Sequence, residues 1–245
     1  MLFWKKSKKP LRTDFSALEV DIHSHLIPGI DDGSPSIESS LEMMRRFVEM
    51  GYRKVITTPH VMSDYYQNDA STIKAGLNTL KRALVENNFP LEIEAAAEYY
   101  IDYDFKRKID EKLPLLTFGD NYILVEISFL NPPESLSEIL FELQTERYRP
   151  VLAHAERYIF WVNDFNRFEE MFDRGIKLQL NINSLTGAYG PEAQKLAYKL
   201  IDKEMYSFAG SDCHRIQHLD LMPKVLTNKH FNKLLNSGKL LNSTL

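Results

Sequence analysis

The chain has 245 residues, a net charge of −4 at pH 7 and a sequence pI near 6.0, so it carries no global basic field to hold nucleic acid. Its single cysteine excludes an internal disulfide and fits a reducing compartment such as the cytoplasm. No apolar run approaches the ~18 residues needed to span a bilayer, and the length suits one α/β barrel of roughly 200–250 residues.

The first fourteen residues read as a basic, aromatic tail. Met1-Leu-Phe-Trp-Lys-Lys-Ser-Lys-Lys-Pro10 holds Phe3 and Trp4 among lysines but lacks the apolar stretch of a secretory signal. Such a segment reads as a solvated end or, more sharply, as a weak contact with anionic lipid or an acidic partner. Residues 15–245 read as a single domain of alternating strands and helices. The predicted strands are 18–22, 54–58, 91–97, 121–127, 150–154, 176–182 and 205–209, all short and apolar as buried parallel strands are. Ser34-Pro35 reads as a helix cap followed by proline at the first helical position. Ile37, Leu41, Met44 and Val48 then recur on one face, and Gly51 ends the helix. Further helices are predicted over 70–87, 134–146, 164–174, 191–203 and 223–241. The alternation predicts a parallel sheet. Seven strands predict a TIM-like (β/α)7 barrel, with an open doubly wound sheet as the alternative.

Ligand-type residues recur at the ends of those strands. His23 and His25, two apart, project from one face of the first strand, and Asp212 and His214 repeat the spacing after the last. Asp32 lies in the loop after the first strand, while His60, Glu98, Glu126 and His154 follow the second to the fifth. A barrel gathers all its strand ends at one mouth. Imidazoles and carboxylates without thiolate suit Mn²⁺, Fe²⁺ or Zn²⁺ in place of a structural zinc site. Nine donors exceed the needs of one ion, so two or three ions sharing a bridging carboxylate are expected. Three divalent ions against four carboxylates leave the site net positive, a field that draws phosphate. His218 and His230 lack such context and read as structural or exposed.

The stretches Asp21-Ile-His-Ser-His25, Pro28-Gly-Ile-Asp-Asp-Gly33, Thr57-Thr-Pro-His60, Ala97-Glu-Tyr-Tyr100, Glu126-Ile-Ser-Phe129, Ala153-His-Ala-Glu-Arg-Tyr158, Gln179-Leu-Asn-Ile-Asn183 and Gly210-Ser-Asp-Cys-His214 resemble, in this order, the PHP superfamily (polymerase and histidinol phosphatase). Within it, the chain is similar to the manganese-dependent bacterial protein-tyrosine phosphatases found with capsule and exopolysaccharide synthesis, over about residues 18–235. The resemblance implies a distorted (β/α)7 barrel with its metal site at the C-terminal strand ends. Three Mn²⁺ ions, or Fe²⁺, Zn²⁺ or Mg²⁺ in their place, would be held by His23, His25, Asp32, His60, Glu98, Glu126, His154, Asp212 and His214. It further implies the phosphorylated tail of a membrane tyrosine kinase as substrate, a cytoplasmic location at the inner face of the membrane, and a homo-oligomer. Val61-Met62 departs from the pattern, since relatives often carry a polar or basic residue there.

For hydrolysis of phosphotyrosine the expected nucleophile is a metal-bridging hydroxide. Arg157, three residues past His154, is placed to grip the phosphoryl oxygens. Asp212 and His214 are counted with it as catalytic. A phenolate, with a pKa of about 10, leaves with little protonation. Tyr99 and Tyr158, with Tyr100, Phe129, Phe160 and Tyr189, are the aromatics expected near the substrate ring. A Cys-x5-Arg phosphatase loop is excluded, because position 219 is Leu219. No Gly-x-Ser-x-Gly elbow appears. The alternatives are a PHP phosphatase for a small phosphate such as histidinol phosphate, and a non-catalytic module that binds the kinase tail.

Overall fold

In the computed structural model, which describes residues 13–245, short strands alternate with helices throughout. The tail expected over residues 1–14 lies outside the described residues but for its last two. The strands are β1 (Val20–Asp21), β2 (Lys54–Thr57), β3 (His60–Val61), β4 (Glu92–Ala95), β5 (Glu98–Tyr100), β6 (Tyr122–Glu126), β7 (Arg149–Leu152), β8 (Lys177–Asn181) and β9 (Tyr206–Gly210). Every pairing between them is parallel. The α/β class with parallel sheets is therefore as predicted.

The single closed sheet of a (β/α)7 barrel is not formed. The strands hydrogen-bond in two sheets, β1-β2-β4 and β3-β5-β6-β7-β8-β9. The strands predicted over 54–58 and 91–97 are each followed, past a short break, by a second short strand, and the register shows how the two are related. Lys54 pairs with Glu92 and His60 with Glu98, so both segments keep the same offset. Between them sits Pro59, which has no N–H to give to a ladder. The chains stay together across the break, since the Ala96 and Glu98 N–H groups donate to Thr57 O and Pro59 O at 2.9 and 3.0 Å. The seam between β1 and β9 is also irregular, because β1 has only two residues. At one end the buried Asn242 side chain fills it, donating to Val20 O and Ala209 O and accepting from Ala209 N–H. At the other end Ser24 and Cys213 form an isolated parallel bridge.

Alternation along the strands builds two apolar layers. Ile123 and Val125 of β6 belong to the large core under the helices. Tyr122 and Leu124 belong to a second cluster with Val20, Ile22, Ile56, Ala96, Val151, Ala153 and Phe208. Two residues beyond Ala96 comes Glu98, and two beyond Leu124 comes Glu126. The second cluster is thus the floor from which acidic side chains emerge at the strand ends.

The helices depart from prediction in detail. The first, α1 (Ile37–Glu49), is capped by Ser36, which accepts from Ser39 N–H, and not by Ser34. The Ser34 hydroxyl is occupied elsewhere, donating to Ser36 O and accepting from Ser40 Oγ. The buried face is Ser40, Met43, Met44 and Phe47, so Ile37, Leu41 and Val48 are only partly covered. The helix expected over 223–241 breaks at Asn228, whose side chain accepts from His230 N–H at 2.8 Å and starts a new helix over Lys229–Asn236. No helix among the described residues is long and apolar enough to cross a membrane.

Candidate metal centre

The nine side chains expected as ligands converge. They fall into four overlapping groups, and within each group one ligand atom per residue lies within 4.8 Å of all the others. The groups are His25, Asp32, His60 and His214; His23, His154 and Asp212; His23, His25 and Glu98; and His60, Glu98 and Glu126. Glu98 is the hub and is fully buried. Its Oε2 lies 3.1 Å from His23 Nε2, 3.5 Å from His25 Nε2 and 3.1 Å from His60 Nδ1, and its Oε1 lies 3.1 Å from His154 Nε2. Asp212 Oδ1 approaches His23 and His25 at 3.4 and 3.6 Å. Asp32 stands at the lip, 53% exposed, between His60 and His214.

Local backbone makes this crowding possible. A Cβ on Gly210 would stand 2.7 Å from His23 Cβ, and one on Gly33 would stand 2.4 Å from His25 Cβ. The glycines of the Gly-Ser-Asp and Asp-Asp-Gly motifs are therefore steric requirements. His154 and Asp212 each lie two residues past the end of a strand, in left-handed backbone with φ of 31° and 50°. Such strain in non-glycine residues gathers at functional sites.

Partners outside the cluster fix the rings. The Gln179 amide oxygen accepts from His154 N–H at 2.7 Å, so it must also be the acceptor for His23 Nδ1 at 3.1 Å. Asp31 takes His25 Nδ1 at 2.8 Å. In the neutral rings both Nε2 lone pairs then face inward, only 3.3 Å apart. His60 Nδ1 is likewise buried without a hydrogen bond. Lone pairs opposed at that distance, among buried carboxylates, fit divalent cations between them. The carboxylates remain charged in burial. Desolvation pushes Glu98 up, but the positive charge that His23 and His60 carry when protonated outweighs it and holds it well below the usual range. Asp212 is held well below its ordinary value in the same way by His23 and His25. Burial raises Asp21 to about 7 against hydrogen bonds from Ser211, whose N–H and hydroxyl it accepts at 2.7 and 3.0 Å. Asp21 thereby anchors the residue preceding Asp212.

Above the cluster opens a cavity of about 380 Å³, lined among others by Asp32, His60, Glu126, His154, Arg157 and His214. Arg157 donates to Asp212 Oδ2 at 3.1 Å, and its guanidinium lies 4.4 Å from the ring centres of both Phe129 and Tyr189. Asn181 Nδ2 ties the same corner together, donating to Asp212 Oδ2 and Tyr189 Oη at 2.9 and 3.1 Å. Glu156, adjacent in sequence, takes no part in an ion pair with Arg157. It is buried against Ser184, Tyr206 and Asn181 N–H.

Tyr99 and Tyr158, expected at the substrate, lie in the core and line none of this cavity. On β5, Glu98 faces inward, so its neighbour Tyr99 turns out to stack on Phe105 at 5.1 Å. Its hydroxyl accepts from Leu116 N–H. Tyr158 is fully buried and its hydroxyl accepts from Ile127 N–H. Cys213 is also buried, against Met43. Conversely, sequence reasoning assigned no role to Asp31, Gln179, Asn181 or Tyr66, and read His218 as structural or exposed. Polar Gln179 and Asn181 in an otherwise apolar strand were a legible signal. His218, which lines the cavity, bonds Asp212 O through Nδ1 at 3.2 Å, and nothing local marks it.

The chain is 29% identical to the tyrosine-protein phosphatase YwqE of Bacillus subtilis over 199 residues, 81% of this chain and 78% of the relative. It is 25% identical to the tyrosine-protein phosphatase CpsB of Streptococcus agalactiae over 217 residues, 86% and 88% of the two chains. A solved structure from the pair YwqE of Bacillus subtilis and CpsB of Streptococcus pneumoniae, described as metal-dependent tyrosine phosphatases, matches with a TM-score of 0.75. That match has 26% identity and covers 89% of this chain and 94% of that one. An amidohydrolase from Mycoplasma synoviae, at 13% identity and a TM-score of 0.53, shares the fold. The family model for capsular polysaccharide synthesis proteins CpsB/CapC matches residues 19–232, and the chain belongs to that family.

Proposed function

We propose that this chain is a metal-dependent phosphatase acting on phosphotyrosine in protein. The observation that carries the reading is the nine-donor cluster with Arg157 held at its edge beside Asp212. The tyrosine phosphatases among its relatives support the substrate class. Bound divalent ions supply an activated water at neutral pH and neutralise phosphoryl charge. Arg157, unable to lose its proton, offers a planar donor fork to the phosphoryl oxygens. Phe129 and Tyr189 hold that fork in place, and Asn181 keeps Asp212 aligned with it. The donor set suits Mn²⁺, Fe²⁺ or Zn²⁺, in up to three ions, and the resemblance to manganese-dependent phosphatases selects Mn²⁺ among them. The finer reading of the fold is a distorted (β/α)7 barrel, supported by the unchanged register across the Pro59 break and by the Asn242 seam. The natural substrate in this reading is the phosphorylated tail of a membrane tyrosine kinase that controls capsule synthesis, met in the cytoplasm.

The test is phosphate release from a phosphotyrosine peptide by metal-stripped protein, with Mn²⁺ added back and EDTA as control. Histidinol phosphate runs in parallel. Mn²⁺-dependent release from the peptide is the expected result. Release only from histidinol phosphate would keep the metal centre and overturn the substrate. Release from neither, with metal bound, would favour a kinase-tail-binding module.

A further inference from the structure

Resting on that reading of the site, we propose that Tyr66 is a specificity-determining residue: its ring and that of Phe129 flank the reacting phosphate and select aryl over alkyl esters. Tyr66 is carried on a tight turn, where Met62 and Tyr66 exchange N–H···O bonds of 2.9 and 3.0 Å. The turn is pinned from outside. Asn68 Nδ2 donates to both Ile30 O and His60 O at 2.8 Å, and Ser63 N–H donates to Asp102 Oδ2 at 2.9 Å. The ring therefore has a fixed place, nearly parallel to His60 at 5.5 Å and 14°.

A row of neighbouring ligand side chains links the two rings. His60 Nδ1 lies 3.8 Å from Glu126 Oε2, Glu126 Oε1 lies 3.3 Å from His154 Nε2, and the His154 ring lies 5.4 Å from Phe129. Both aromatics line the cavity, Tyr66 half-buried and Phe129 40% exposed. A phosphoryl group seated on the row leaves its ester group between them. A phenyl ester gains offset or edge contacts with such rings, whereas a seryl ester has no π face to offer. Met62, on the same wall, extends the apolar surface at a position where the sequence departs from its resemblance to the family.

The experiment measures affinities of the Mn²⁺-loaded full-length protein for phenylphosphonate and methylphosphonate by calorimetry, alongside kcat/KM on phosphotyrosine and phosphoserine peptides. Wild type should prefer the aryl member of each pair. Tyr66→Ala should reduce that preference by about 2- to 10-fold, Tyr66→Leu should do the same, and Tyr66→Phe should retain it. Metal content is measured in each variant, and if Tyr66→Ala fails to load, Tyr66→Leu decides. An unchanged preference in the Leu variant, an equal loss in the Phe variant, or no aryl preference in wild type overturns the proposal. A wild-type protein that hydrolyses no phosphotyrosine peptide instead overturns the functional reading beneath it.

Discussion

Replacing Gln179 by methionine tests whether the ring tautomers are set from behind the cluster. The side chain is fully buried, and its oxygen serves two donors, His154 N–H and His23 Nδ1–H. Methionine fills a similar volume but accepts neither bond. Leaving a buried donor unpaired costs about 1–3 kcal/mol, so the two together cost about 2–6 kcal/mol. His23 escapes its share only by moving its proton to Nε2, the atom that faces Glu98 and Asp212. The variant is therefore expected to lose both stability and metal affinity. With that escape His154 N–H alone still costs about 1 kcal/mol at the lower bound, and for a domain of this size each kcal/mol lowers Tm by roughly 2–4 °C in metal-free protein. Loss of an outer-shell partner weakens metal binding by roughly 10- to 100-fold. The assay is thermal unfolding of metal-stripped protein, followed by Mn²⁺ titration of the same sample. A metal-free Tm within about 2 °C of wild type, together with an unchanged Mn²⁺ titration, would refute the reasoning.

Saturating Mn²⁺ should itself stabilise the protein. At about 1,000 times Kd the gain is about 4 kcal/mol, or roughly 8–16 °C in Tm, reversed by EDTA; a Tm indifferent to metal would contradict the cluster's role. Arg157→Ala should lower kcat on a phosphotyrosine peptide by roughly 10²- to 10³-fold at normal metal content, and metal loss in that variant would make Arg157 structural instead. Gly210→Ala forces a Cβ to within 2.7 Å of His23 Cβ and 3.0 Å of Gln179 Nε2. Overpacking of this kind costs about 1–3 kcal/mol, read as a lower midpoint in urea. Tyr158→Phe leaves Ile127 N–H without its acceptor, costing about 1–3 kcal/mol. Its KM for the peptide should not change, and a raised KM would restore Tyr158 as a substrate contact.

The residues that converge were legible in the sequence because most of them close a short apolar run, and buried charge at such a place needs a reason. His23-x-His25 and Asp212-x-His214 announce themselves by a spacing that backbone geometry alone converts into a shared face. The parallel α/β class followed from alternation in the same way. What stayed hidden depends on which direction a strand residue faces and on contacts across long sequence separations. Tyr99 and Glu98 are neighbours in the chain, and only the inward turn of Glu98 decides that Tyr99 belongs to the core. Asp31 and Asp32 look interchangeable, yet burial gives one to His25 and leaves the other at the lip. The seam filled by Asn242, some 222 residues from its partner Val20, stands where the strand–helix alternation predicted a closing ladder. Residue types and their local spacing thus determined the chemistry available to this protein. Only tertiary packing decided which rings point inward, which hydroxyls and amides hold them there, and where the strands fail to close, because those outcomes depend on contacts that no local pattern encodes.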